Sequence, residues 1–255
     1  MSESKIIMAE HASQQGHWYD RDGNCAYEII GANGKRRPTT LRDAKKLGLY
    51  PSVTTVINLA AKPGLQNWRD DQLIMACLTM PRIENEPEGV YIARIKRDAG
   101  EQARVARERG STIHAWVQEG FEGKQISHDA YRYYASARDA LSQECSSEKW
   151  ECEKSFVKLD DRGVRGYGGK IDLISPEHIV DIKTTEKDVT TLKTWDEHHQ
   201  QLAAYDVDDS RWCGILYVNV YSAESQLIWI TPDEKIRGRE CFNALLRFMY
   251  AKNGL

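Results

Sequence analysis

No stretch of eighteen apolar residues occurs in the chain, which excludes a helix that spans a bilayer. The opening residues, Met1 to Met8, lack the basic-then-apolar run of a secretory signal. No C-x-x-C pair occurs among Cys25, Cys77, Cys145, Cys152, Cys213 and Cys241. Their scatter in a chain without a signal run reads as free thiols in a reducing, cytoplasmic setting. It also lacks the closely spaced ligand pairs of a structural zinc site. Net positive charge is missing too: 35 Lys and Arg stand against 38 Asp and Glu, a net of −3. A protein that coats nucleic acid by overall charge is thereby excluded, and any such contact must use a local patch. There is no G-x-x-x-x-G-K-[ST] loop, hence no motor of that type, and no internal repeat.

What the chain does have is a core. Its 255 residues are 41% hydrophobic and 29% charged, enough for one domain with elaborations or two small ones. The opening residues read as loose. His17 to Ile30 reads as a hairpin turning at Asp22-Gly23-Asn24. Thr40 and Asp43 form a capping box for a short helix that Gly48 ends. Pro51 or Ser52 opens another turn of helix, and residues 65–78 continue the helical pattern. Residues 99–119 carry Ala99, Ala103, Ala106, Gly110, Ile113 and Val117 at three- and four-residue intervals, a helix with a small-residue face. Residues 129–142 predict a further helix. From Lys149 the pattern changes to strands at 150–159, 169–174 and 179–183, a helix at 195–207, a hairpin at 214–230 and a terminal helix from Pro232. The expected class is α/β in the broad sense (α+β): a mixed central sheet flanked by helices. A mainly helical part, 1–148, precedes a sheet-centred part, 149–255, within one compact unit.

The most informative stretch runs from Gly169 to Thr185. If its turn is symmetric about Pro176-Glu177, Asp172 falls opposite Asp181, with Cβ atoms about 5 Å apart. Lys183 lies two residues further along the same face. Two carboxylates this close repel unless a cation intervenes, and their neighbours are apolar, so the charges need partners. Two readings remain open on spacing alone: an ion pair at a strand end, or a site for a hard divalent cation.

Gly169-x-x-Asp172, then Asp181-Ile182-Lys183, then Gln201-x-x-x-Tyr205 resembles the PD-(D/E)XK nuclease superfamily. The likeness is to the exonuclease branch that includes the RecB nuclease domain and phage and mitochondrial exonucleases. Gly110-Ser-Thr-Ile-His114 resembles that branch's helix with an extra metal-binding His, and Pro51-Ser-Val-Thr-Thr resembles a segment of the phage and mitochondrial members. The resemblance implies a restriction-endonuclease-like sheet and a deoxyribonuclease that removes nucleotides from DNA ends in phage or bacterial recombination or repair. It implies Mg²⁺ or Mn²⁺ held by Asp172, Asp181, the Ile182 carbonyl and His114. Asp172, Asp181 and Lys183 would be catalytic, with Lys183 orienting water or stabilising the phosphorane. Gln201 and Tyr205 would hold the substrate strand. The chain departs from the motif in having no Pro before Asp172. Relatives with an iron–sulfur cluster hold it with a tight late Cys group, and here only Cys213 and Cys241 lie late, so no cluster is expected. The helical front half would form a wall or arch for the strand. Homo-oligomers, and a recombination or single-strand-binding partner, are further expectations; a membrane is not. A structure- or sequence-specific endonuclease and a non-catalytic DNA-binding or assembly protein are the alternatives.

Other residues invite simpler readings. His198 and His199 point about 100° apart on a helix and do not suit one metal; one reads as packing or substrate contact, the other as solvated. The basic runs 35–46 and 94–109 read as solvated faces or as phosphate contacts. Arg107 and Arg109 are the expected substrate contacts of the second run. Trp18, Tyr19 and Trp68 are candidates for core packing or for stacking on bases.

Overall fold

The computed structural model describes residues 16–31, 33–145 and 149–254. The expected loose opening residues, 1–15, lie outside the described ones.

Strand β1 (Trp18–Tyr19), β2 (Glu28–Ile30) and β3 (Arg36–Pro38) are followed by α1 (Leu41–Leu47), β4 (Tyr50–Pro51) and α2 (Val53–Ile57). Long helices come next: α3 (Pro63–Thr79), α4 (Glu88–Phe121) and α5 (His128–Glu144). The remainder is β5 (Glu151–Leu159), β6 (Gly166–Ile174), β7 (His178–Thr185), α6 (Asp196–Tyr205), β8 (Trp212–Asn219), β9 (Ser225–Trp229) and α7 (Pro232–Asn253). The main sheet has the order β5-β6-β7-β8-β9. All its pairings are antiparallel except β7 with β8, which are parallel and joined through α6. The molecule is thus α/β in the broad sense, a five-stranded mixed sheet flanked by helices.

Both sheet faces are covered. On one, Ile113 and Val117 of α4 and Tyr133, Ala137 and Leu141 of α5 pack on Leu173, Val180, Ile182 and Leu216. On the other, Val53 and Val56 of α2, Leu202 of α6 and Phe242 of α7 pack on Ile171, Ile179 and Ile215. Burial on both faces explains why residues 179–182 are continuously buried rather than alternating. Trp18 and Ala44 sit in the same cluster as Phe242, so the front of the chain completes the core of the back.

Local signals at helix ends were strong. The Thr40–Asp43 capping box forms, Gly48 ends α1 at φ 65°, and Ser52 caps α2 while Pro51 stays extended. The first hairpin is only partly as expected. Its turn closes Tyr19 on Cys25, but β1 pairs with β4 and β2 with β3. Trp18 and Tyr19, both 2% exposed, are core residues and not stacking platforms. The basic run 35–46 is partly neutralised within itself, since Arg37 forks onto Asp43 at 2.6 and 2.9 Å. Helix α4 is 34 residues long and begins eleven residues before its expected start. Its first turns have only Ile95 buried and Arg94 locked to Glu86, so no apolar period announced them.

Candidate active site

Strands β6 and β7 keep the expected register where they pair: Ile174 faces Ile179 and Leu173 faces Val180. There the ladder stops, after two pairs, whereas β7 and β8 pair over their whole length. Ser175 N–H donates to His178 O, so 175/178, 173/180 and 171/182 are the hydrogen-bonded positions of this ladder. The N–H of Ile182 should therefore reach Ile171 O. Instead it donates to Asp172 Oδ2 at 2.8 Å. The Asp172 side chain thus takes over a rung of the ladder, and the strands part beside it. The N–H and C=O of one strand residue project to the same edge, so the Ile182 carbonyl faces the same gap. Opposite Asp172, Glu153 of β5 adopts φ 54°, which marks the local distortion.

Four chain segments fill this gap. His114 of α4 places Nε2 3.0 Å from Asp172 Oδ2. Lys183 of β7 places Nζ 2.6 Å from Asp181 Oδ2 and donates to Gln201 Oε1 at 3.3 Å. Gln201 of α6 donates from Nε2 to Asp181 Oδ1 at 2.7 Å and to the Tyr205 hydroxyl at 2.9 Å. Gln201 and Tyr205, expected at the substrate, are both buried; Gln201 bonds Asp181 directly, and Tyr205 bonds Gln201.

Two glycines let these elements approach. A Cβ on Gly110 would stand 2.6 Å from Thr184 Oγ1, so its missing side chain lets α4 dock on β7 and brings His114 to the gap. A Cβ on Gly169 would stand 2.7 Å from the Phe156 ring and 2.9 Å from the Tyr205 ring. Gly169 thus makes room for Tyr205.

The electrostatics follow from crowding. Burial, then the Asp172 charge, push the Asp181 carboxyl up to about 6 despite Lys183. For Asp172, burial acts upward, but hydrogen bonding to His114, the charges of His114 and Lys183, and the Ile182 N–H outweigh it and hold the carboxyl below its usual range. Burial acts to lower His114, and the Asp172 contact reverses this and raises it. Lys183 is likewise raised, because Asp181 and Asp172 outweigh burial. As they stand, the charges close among themselves, Asp181 with Lys183 and Asp172 with His114. Among the described residues no three His, Cys, Asp or Glu side chains are already gathered around one point. The donor set is nevertheless carboxylate, carbonyl and imidazole, which hard divalent ions accept. Asp181 Oδ2 is buried against the Lys183 ammonium, 2.6 Å away. In donor chemistry, though without a gathered ligand shell, these residues suit Mg²⁺ or Mn²⁺.

His198 and His199 are both buried, which corrects the expectation that one is solvated. His198 Nδ1 accepts from Trp195 N–H at 3.2 Å and lies 3.2 Å from the Tyr217 hydroxyl, so the ring is held neutral with its proton on Nε2. Burial, then the Lys183 charge, lower its pKa from 6.5 to about 4. The folded state resists a proton that the unfolded chain accepts below pH 6.5. Stability should therefore fall as pH drops from 6.5 towards 4, by on the order of 3 kcal/mol from this group. Urea unfolding across that range, compared between wild type and His198→Gln, checks this: the variant's profile should be flatter. Equal slopes would remove His198 as the cause.

Arg109 and Arg107 are not equivalent. Arg109 donates to the Tyr221 hydroxyl at 2.7 Å and pairs with Glu186 at the rim of the sheet. Arg107 is exposed and lines a groove between α3 and α4. Trp68 of α3 is 41% exposed beside it. Neither the groove nor the role of Gln201 behind Asp181 is readable from spacing, because both depend on which helices pack together.

No protein-family model and no curated protein matches this chain. Among solved structures, it is similar to a protein from Eubacterium rectale named as a "putative exonuclease", at 14% identity and a TM-score of 0.41, over 57% of this chain and 68% of that one. It is similar also to the protein SSO0001, at 15% identity and a TM-score of 0.33, over 72% of this chain and 86% of that one.

Proposed function

We propose that the chain is a divalent-metal-dependent deoxyribonuclease of the PD-(D/E)XK type that degrades DNA from its ends. The observation that carries this reading is the parting of β6 and β7, where Asp172, Asp181, Lys183 and His114 converge on one gap. Asp172, Asp181, the Ile182 carbonyl and His114 would hold Mg²⁺ or Mn²⁺, which when bound acidifies a water and offsets phosphate charge. Such an ion would replace the His114–Asp172 bond. Lys183, its pKa raised, keeps its proton at neutral pH and offers positive charge to the phosphoryl oxygens as they gain charge. Gln201, itself bonded to the Tyr205 hydroxyl, holds Asp181 through its Oδ1, so little reorganisation is needed during reaction. Arg109, held at the rim of the sheet by Tyr221 and Glu186, would contact phosphate. Action from ends, in recombination or repair, rests on the motif resemblance.

End-labelled linear DNA, single- and double-stranded, and covalently closed circles, each with Mg²⁺, Mn²⁺ or EDTA, test the reading. Linear DNA should be degraded only with metal, and circles should survive. Nicked or linearised circles would make the chain an endonuclease. Binding without cleavage of any substrate would make it a DNA-binding protein.

A further inference from the structure

The groove between α3 and α4 has a volume of about 690 Å³. Its floor is made by the small residues Ala99, Gly100, Ala103 and Ala106 of α4. Its walls carry a half-open indole, Trp68, and the cations Arg69, Lys96, Arg97 and Arg107. Arg104 is tied to Glu101 and Glu108. The other four cations have no carboxylate within ion-pair distance among the described residues, in a chain whose net charge is −3. Four cations without an ion-pair partner around an exposed aromatic face favour a ligand that is both polyanionic and aromatic.

The groove also has a direction. Lys96, Gly100, Ala103, Arg107 and His114 follow one another at intervals of four, three, four and seven residues, which is one continuous stripe of a helix. From Lys96 to His114 is five turns, about 27 Å. The stripe that lines the groove therefore ends at the residue that touches Asp172.

We propose that this groove seats single-stranded DNA, with Trp68 stacked on a base and Arg69, Lys96, Arg97 and Arg107 at its phosphates, and leads the strand's end along α4 to His114. The seating stands on the groove alone; only the strand's destination rests on the nuclease reading. A duplex is disfavoured because its base faces are already stacked on each other and cannot meet the indole. Stacking on a protein ring tolerates any base, so no sequence preference is expected.

Binding can be read apart from cleavage. Fluorescence anisotropy of a labelled oligothymidylate in EDTA, with the matching duplex in parallel, should show tighter binding to the single strand. Trp68→Ala should weaken that binding about tenfold or more, and Trp68→Phe should restore much of it. In Arg97→Ala/Arg107→Ala, the slope of log affinity against log salt should shrink by about 0.7 for each phosphate left without its arginine. All three changes are at exposed positions, and circular dichroism and Tm confirm folding. Unchanged single-strand affinity in folded Trp68→Ala would overturn the proposal. So would equal weakening for single strand and duplex, or a shift from dimer to monomer with DNA binding intact, which would make the groove a self-association surface. A wild type that binds the oligonucleotide but never cuts would leave the groove standing and remove the nuclease reading. One that cuts while Trp68→Ala binds normally would do the reverse.

Discussion

Asp181→Asn is expected to abolish metal-dependent cleavage, with a loss of at least about a thousandfold in rate, and to leave a folded protein. The substitution keeps an oxygen for the Gln201 amide and changes no volume, but it deletes one of the two charges that would hold the cation. Stability should not suffer, for a reason visible in the site. The Asp181 carboxyl titrates at about 6 in the fold against 3.8 for an ordinary aspartate. A raised acid is stabilising when protonated and costs stability once pH climbs through its folded pKa, so at pH 7.5 ionised Asp181 opposes folding. That cost is on the order of 3 kcal/mol at most, and Lys183 losing its partner offsets some of the gain. Calorimetry at pH 7.5 should thus find a Tm equal to or above wild type while the nuclease assay finds nothing. A variant that unfolds, or one that cuts at the wild-type rate, removes Asp181 from the site.

The sheet part of this site was legible in the sequence because a tight antiparallel turn leaves little freedom. Once Pro176-Glu177 sits at the turn, symmetry about it pairs Leu173 with Val180, and the structure has that register. The sequence could not reveal that the ladder would end one residue later, because an aspartate side chain replaces a backbone carbonyl there. That is a competition between two acceptors for one N–H, decided by packing. The helical part was legible only through motif resemblance. An isolated His114 on an apolar face is ordinary, and what aims it at Asp172 is Gly110 lying against Thr184, a contact between residues 74 positions apart. Gln201 and Tyr205 are recognisable as a pair on one helical face, but their side turns inward, against Asp181. The early turns of α4 and its groove with α3 escape periodicity altogether, since a helix that packs on one neighbour buries too little to show a stripe.

Lys183→Met should separate two jobs that one ammonium performs. Its Nζ lies 2.6 Å from Asp181 Oδ2, close enough to hold that carboxylate's charge in check, and it also donates to Gln201 Oε1 at 3.3 Å. If it also faces the phosphoryl oxygens, its removal should cost roughly a hundred- to a thousandfold in kcat at saturating metal. Metal affinity should behave differently, and in a pH-dependent way. Protons compete with a cation for Asp181, and in the wild type that competition sets in below about pH 6. Lys183 lowers the Asp181 pKa, so the variant's carboxyl must titrate higher still, and protons then compete at neutral pH. Metal binding to Lys183→Met should accordingly be weaker than wild type at pH 6.5, and equal or tighter at pH 8.5, where the carboxyl is ionised in both and the repelling ammonium is gone. Calorimetric titration with Mn²⁺ at the two pH values, beside kcat at saturating metal, reads both effects. A large loss of metal binding at pH 8.5 with kcat preserved would place Lys183 with the groups that hold the ion, and would remove it from the chemistry.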